Sequence, residues 1–110
     1  LVGSEMCIRD SHNFVLDKER AGLEKIATAY STKSGIKMDV ITDCIGMQLY
    51  TANFLSARAG KGGAQYGAYA GVCLETQRFP DAMHHAAFPS PLLRAGMRYG
   101  ERTEYRFTLA

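Results

Sequence analysis

An all-β fold, a mostly antiparallel sandwich or barrel, is what this sequence of 110 residues predicts, and three observations carry the prediction. Short apolar or alternating stretches recur along the chain, turn-forming residues separate them, and helical periodicity is weak almost everywhere. Such a pattern buries its apolar faces by stacking strands in layers.

The elements follow in order. HNFVLD (residues 12–17) is a short apolar run. LDKERAGLEKIATAY is the one helical candidate, but charges crowd its first half and Gly22 interrupts it. KIATAYS (25–31) and IKMDVITD (36–43) read as strands flanking Thr32, Lys33, Ser34 and Gly35, a hairpin turn with Gly35 at positive φ. Ile36, Met38, Val40 and Thr42 alternate with Lys37, Asp39, Ile41 and Asp43, so one face is expected to be buried. MQLYTANF (47–54) is the next strand, followed by the glycine-rich ARAGKGGAQYG and by AGVCLETQ (70–77). All three prolines fall in RFPDAMHHAAFPSPLLRAGMRYG, which predicts irregular structure. TEYRFTLA closes the chain with Tyr105, Phe107 and Leu109 on one face.

Composition narrows the function classes. The chain is long enough for one domain or a piece of one, and 46% hydrophobic with 22% charged residues is ordinary for a globular protein. The net charge of +2 comes from singly scattered basic residues, a poor footprint for nucleic acid. No apolar run approaches the roughly 20 residues that span a bilayer, and Glu5, Arg9 and Asp10 spoil the first residues as a signal peptide. Cys7, Cys44 and Cys73 are odd in number and widely spaced, so they predict reduced, structural thiols in a cytoplasmic setting.

Few stretches carry chemistry. AGKGG (59–63) lacks the spacing of a phosphate loop and has no helix after it, so it reads as a hairpin or crossover loop. His84 and His85 are adjacent; in an extended segment neighbouring side chains point oppositely, so they read as loop histidines and no metal site is expected. On a strand, Gly71, Cys73, Glu75 and Gln77 share one face, and Glu75 sits mid-strand beside Cys73 and Leu74. A partly desolvated carboxylate there suits general-base work near neutral pH, although a glutamate on a solvated sheet face is the commoner arrangement. Gln48 and Tyr50 share a face opposite Met47, Leu49 and Thr51, a pairing that can hydrogen-bond sugar hydroxyls and stack on a sugar ring, or simply meet solvent.

These stretches together resemble the C-terminal third of the aldose 1-epimerase (galactose mutarotase) family. HNFVLD resembles the tail of the family's DHNFVL, and GMQLYTANFL resembles GxQxYTGNFL. GVCLETQRFPDAMHHAAFPS is similar to GxCLETQxxPDSxNxxxFPS, and LLRAGMRYGERTEYRF to an LxPGExYxxxTxYxF ending. The likeness runs in order from His12 to about Phe107. It implies the C-terminal, incomplete part of a β-sandwich (a supersandwich) over residues 12–110, and interconversion of α and β anomers of free hexoses such as galactose and glucose.

In that resemblance Glu75 takes the place of the family's general base and Gln48 that of a sugar-hydroxyl ligand. No metal or organic cofactor is implied; the partner is a small aldose, with no nucleic acid or membrane. A non-catalytic carbohydrate-binding protein on the same scaffold is the alternative. A hexose 6-phosphate epimerase relative is another, but it would need a basic cluster that this stretch lacks. The departures are Ala52 where TGN has glycine, expected to alter the turn, Ala82 and His84 in the DSxN pattern, and RAGM (94–97) for RPGE. Ser11 stands where the family has a sugar-binding Asp, and His12 belongs to the HNFVL segment rather than serving as the acid. The family's general-acid His lies upstream of the resemblance, so these residues alone are expected to be inactive and, with unpaired edges and apolar faces, poorly stable.

The stretch LVGSEMCIRDS (1–11) has a different character. EMCIRDS resembles a translated transposon-end sequencing adaptor, and the family likeness begins directly after it, so residues 1–11 are expected to be a non-native leader.

Overall fold

The computed structural model describes residues 11–109. The expectations placed on residues 1–10, including most of the leader and Cys7, lie outside the described residues. Eight strands follow one another: β1 (Ser11–Val15), β2 (Glu24–Tyr30), β3 (Ile36–Thr42), β4 (Gly46–Tyr50), β5 (Arg58–Ala59), β6 (Gln65–Tyr66), β7 (Cys73–Gln77) and β8 (Thr103–Leu109). They form two three-stranded sheets, β1-β4-β7 and β2-β3-β8, with a small β5-β6 ribbon, and every pairing is antiparallel. The all-β expectation is met.

Residues 17–23 form no helix. Glu24–Tyr30 instead pair with Ile36–Thr42 across the Gly35 turn, where Gly35 adopts φ +70°. Gly22 sits at φ +103°, a conformation incompatible with helix propagation. Lys18 fastens the loop, its Nζ donating to the carbonyls of Gly22 (2.7 Å) and Thr42 (3.0 Å). The ladder register shifts between Lys25 and Ala27, a bulge that sets Ala27 opposite Val40 and Ala29 opposite Met38.

The two large sheets meet through β7 and β8. Thr42, fully buried, gives its Oγ1 hydrogen to the Arg102 carbonyl at 2.9 Å or to Thr103 Oγ1 at 3.0 Å, and its oxygen accepts the Cys44 N–H at 3.1 Å. Thr103 Oγ1 in turn hydrogen-bonds Thr76 Oγ1 of β7, and Tyr105 Oη donates to the Leu74 carbonyl at 2.6 Å. These bonds satisfy groups that would otherwise be buried without partners, and they tie the layers in register.

The sandwich is incomplete. Among the described apolar residues only Val40, Cys44, Met47, Ala52 and Ala82 are buried. The face predicted to be buried on β3 is so at Val40 and Thr42 but not at Ile36, which is 46% exposed, because the opposing sheet reaches only one end of it. Phe107 and Leu109, paired with Met38 and Ile36, are 65% and 82% exposed for the same reason. The Cα radius of gyration of 16.5 Å exceeds the ~13 Å of a compact chain near 100 residues.

Candidate functional site

Antiparallel pairing brings three polar side chains to one level of the first sheet. Asn13 on β1 lies opposite Gln48 on β4, and Gln48 lies opposite Glu75 on β7. Cross-strand partners share a face. The period of two adds Ser11, Tyr50 and Cys73 on one side of that row and Gln77 on the other. Met47, Leu49, Leu74 and Thr76 occupy the opposite face, the one that meets the second sheet. One surface of this sheet is therefore polar and open; on the other, Met47 is buried, Leu49, Leu74 and Thr76 are half-buried, and Phe14 stays exposed.

A cleft of about 300 Å³ opens on the polar face, lined by Ser11, Gln48, Tyr50, Phe54 and Glu75. That volume lies at the lower end of small-molecule sites. Gln48 and Glu75, three strands' worth of sequence apart, thus share one cleft with Tyr50. Phe54 reaches it because β4 ends at Tyr50, four residues earlier than the sequence predicts, and the chain turns at Ala52.

Ala52 adopts φ +56°, the left-handed conformation that costs a residue with a Cβ roughly 1 kcal/mol or more. A residue with a Cβ thus stands in left-handed backbone at this turn. Its carbonyl accepts the N–H groups of Leu55 (3.1 Å) and Tyr69 (3.0 Å).

Glu75 takes the commoner of the two arrangements that the sequence left open. It is exposed rather than desolvated, because the polar face is not covered by the second sheet. Among the described residues it makes no hydrogen bond or ion pair, so its carboxylate is available in the cleft. Gln48 is held firmly: its Oε1 accepts from Gln77 Nε2 at 3.1 Å, and its Nε2 donates to Ser11 Oγ. Gln77 Nε2 also donates to Asn13 Oδ1 at 2.9 Å. Asn13, Gln77 and Phe54 are the site residues that sequence reasoning passed over. The only signal for Asn13 and Gln77 was their parity with Gln48 and Glu75, which has meaning once strand partners are known.

Gly46 sits behind this network. A Cβ there would meet Asn13 Oδ1 at 3.0 Å, the Gln77 carbonyl at 3.1 Å and Phe79 Cδ1 at 3.1 Å. Phe79 packs edge-on against Phe88 (centroids 5.2 Å apart), which in turn contacts the His85 ring at 5.1 Å. The 79–88 segment is thereby stacked over the end of β4.

His84 and His85 do not diverge as expected of an extended segment. Ala82–His84 form a single 3₁₀ turn after Asp81, itself at φ +55°. This curls both imidazoles toward Asp81: His84 Nδ1 contacts Oδ1, and His85 Nε2 lies 3.4 Å from Oδ2. The hydrogen bond from His84 lowers the Asp81 carboxyl below its ordinary range, and the same bond raises the His84 imidazole. Among the described residues no group of three His, Cys, Asp or Glu is arranged to hold a metal ion.

A second polar cluster joins strand ends away from the cleft. Glu101 accepts from Tyr99 Oη (2.6 Å), Arg78 Nε (2.8 Å) and Cys44 Sγ (3.5 Å). The tyrosine bond, foremost among these, lowers the Glu101 carboxyl and raises the Tyr99 phenol. The glycine-rich segment, read as a hairpin or a crossover loop, forms the hairpin β5-β6, closed by a 3₁₀ turn at Lys61–Gly63. Cys44 and Cys73 are both free thiols, the first buried and the second exposed. No helix among the described residues is long and apolar enough to cross a membrane.

Comparison with known proteins gives a consistent picture. The sequence model of the aldose 1-epimerase family matches residues 9–106. Galactose mutarotase of Mus musculus is 41% identical over 100 residues, covering 90% of this chain and 29% of that protein. Galactose mutarotase of Homo sapiens is 41% identical over 102 residues with the same coverage. Aldose 1-epimerase of Escherichia coli (strain K12) is 32% identical over 98 residues, covering 87% of this chain and 28% of that protein. The chain thus spans under a third of the length of the curated relatives it matches.

Proposed function

From the chain's membership of the aldose 1-epimerase family, which the match over residues 9–106 shows, we propose that these residues form part of a sugar isomerase that exchanges the α and β anomers of free hexoses such as galactose and glucose. One observation carries the proposal. Gln48 and Glu75 occupy facing positions on β4 and β7 and line the same open cleft, and the Glu75 carboxylate has no hydrogen-bond partner among the described residues.

Glu75 serves as general base. It takes the proton from the anomeric hydroxyl; as the C1=O bond forms, the C1–O5 bond breaks and the ring oxygen takes a proton from an acid. Rotation about C1–C2 and the reverse transfers close the ring on the other face. Gln48 holds a sugar hydroxyl, and Tyr50 and Phe54 offer aromatic surface to the C–H face of the sugar. The described residues place no imidazole in the cleft, so the acid is assigned to a part of the protein outside these 110 residues. We further read residues 12–110 as the C-terminal portion of one domain. The free Cys44 and Cys73 support a reducing, cytoplasmic setting.

Polarimetry of the whole protein with freshly dissolved α-D-galactose and α-D-glucose tests the proposal. Glu75→Gln is expected to lower anomer exchange by about 10²–10⁴-fold, the usual share of a general base, while equilibrium sugar binding persists. Unchanged exchange rates in that variant would remove Glu75 from the reaction. Binding without exchange in the unsubstituted protein would favour the non-catalytic sugar-binding reading.

A further inference from the structure

We propose that Gln77 is a positioning residue that sets the Gln48 side-chain amide as a hydrogen-bond donor toward a ligand in the cleft; the inference rests on the reading of that cleft as a sugar site. Gln77 Nε2 carries two hydrogens and faces two acceptors, Asn13 Oδ1 at 2.9 Å and Gln48 Oε1 at 3.1 Å. Its amide nitrogen is thereby fully committed, and the carbonyl end of Gln48 is occupied from behind. Gln48 Nε2 gives one hydrogen to Ser11 Oγ. Its second N–H has no acceptor among the described residues. With Asn13 and Gln77 oriented this way, turning the Gln48 amide over alone would set two NH₂ groups against each other and strand one Gln77 hydrogen without an acceptor. Only a concerted reversal of all three amides keeps every bond, and a coupling from Gln77 to the Gln48 carbonyl distinguishes the two.

The orientation has a chemical consequence. A donor at Gln48 obliges a sugar hydroxyl bound there to accept through its oxygen, which leaves the hydroxyl hydrogen free to be given elsewhere. Glu75, directly across the strand pair and acceptor-only when ionised, is the neighbouring group able to take it. With the amide reversed, the Gln48 carbonyl would compete with Glu75 for that same hydrogen. Gln77 thus acts at one remove. It touches no ligand, yet it decides which direction hydroxyl hydrogens point in the cleft. Asn13 completes the arrangement by holding the other Gln77 hydrogen, and Gly46 leaves the space in which Asn13 and Gln77 meet.

The test combines a direct reading of the hydrogen bond with two variants. In the unsubstituted whole protein, NMR is expected to show a through-hydrogen-bond coupling between Gln77 Nε2 and the Gln48 side-chain carbonyl carbon; its absence overturns the inference without any variant. Gln77→Met keeps the length and removes both donors, and is expected to shift the Gln48 side-chain amide signals while backbone signals of β3 and β8 stay in place. Unmoved Gln48 amide signals would overturn the proposal. Gln77→Glu substitutes an acceptor, so the Gln48 amide is expected to turn over. In the whole protein, Gln77→Met is expected to raise KM for galactose about tenfold, the loss of roughly one oriented hydrogen bond, and Gln77→Glu to lower kcat as well. Equal effects of the two variants on kcat and KM would reduce Gln77 to a structural role and overturn the donor assignment. If no sugar binds even to the unsubstituted protein, the functional reading of the cleft fails, and the NMR arm still decides what Gln77 does to Gln48.

Discussion

The Tyr69 N–H donates to the Ala52 carbonyl at 3.0 Å, and both residues hold left-handed backbone, φ +63° and +56°. This pair closes the excursion between β4 and β7 and so aims Phe54 at the cleft. Two non-glycine residues in that conformation store strain on the order of 1–3 kcal/mol each, and the strain lies beside the candidate site.

Ala52→Gly relieves part of it. The left-handed preference of glycine outweighs the added unfolded-state entropy at such a position, so the substitution is expected to stabilise the chain by about 0.5–1 kcal/mol. A shift of the urea midpoint to higher concentration at unchanged m-value is the check. A shift to lower concentration would show that the lost, buried methyl matters more than the backbone.

Gly46→Ala acts in the opposite sense. The added methyl presses on Asn13, the Gln77 backbone and the Phe79 ring at 3.0–3.1 Å, and overpacking of this kind costs about 1–3 kcal/mol. Chemical denaturation should register the loss, and the Asn13–Gln77 hydrogen bond is expected to weaken with it. A neutral result would mean that Phe79 swings aside freely.

The 79–88 segment carries its own titration. His84 is raised above the ordinary imidazole value of 6.5 by its bond to Asp81, so its contribution to stability is full below pH 6.5 and fades as pH rises through the folded value. Asp81 is depressed below 3.8 by the same bond, so its contribution is present above that pH and fades as pH falls through the lowered value. The pair therefore acts mainly between those limits, and weakly, because both groups are exposed. An NMR titration of His84 should return toward 6.5 in Asp81→Asn. An unmoved midpoint would dissolve the pair.

The uncovered end of the second sheet predicts solution behaviour. With Ile36, Phe107 and Leu109 exposed, the 110 residues alone are expected to bind the dye ANS and to unfold over a broad range of urea. Phe107→Lys should reduce dye binding. A sharp, single transition without dye binding would show that this apolar face finds cover.

Much of this was present in local residues. The Gly35 hairpin, the glycine-rich ribbon and the strand at LETQ follow from turn chemistry and period-two alternation, which act over a few positions. Parity alone placed Gln48 with Tyr50 and Glu75 with Gln77, and long motifs in order placed the chain in its family. The helical candidate at 16–30 failed because pairing with β3 outweighed a weak local preference, as tertiary contacts commonly do. The His84 and His85 side chains take directions other than those of an extended segment because a 3₁₀ turn has a different side-chain period from a strand.

Sequence by itself determined which residue types stand on which face of each strand, since alternation is a property of the backbone. Which strand lies beside which was decided only in three dimensions. The partners Asn13, Gln48 and Glu75 are separated by 35 and 27 positions, and nothing local encodes that register. Tertiary structure alone therefore decided that one amide, Gln77, locks another, and that Glu75 is an open carboxylate rather than a buried one. The reason is physical: hydrogen-bond direction and solvent exposure depend on neighbours that the chain brings together only by folding.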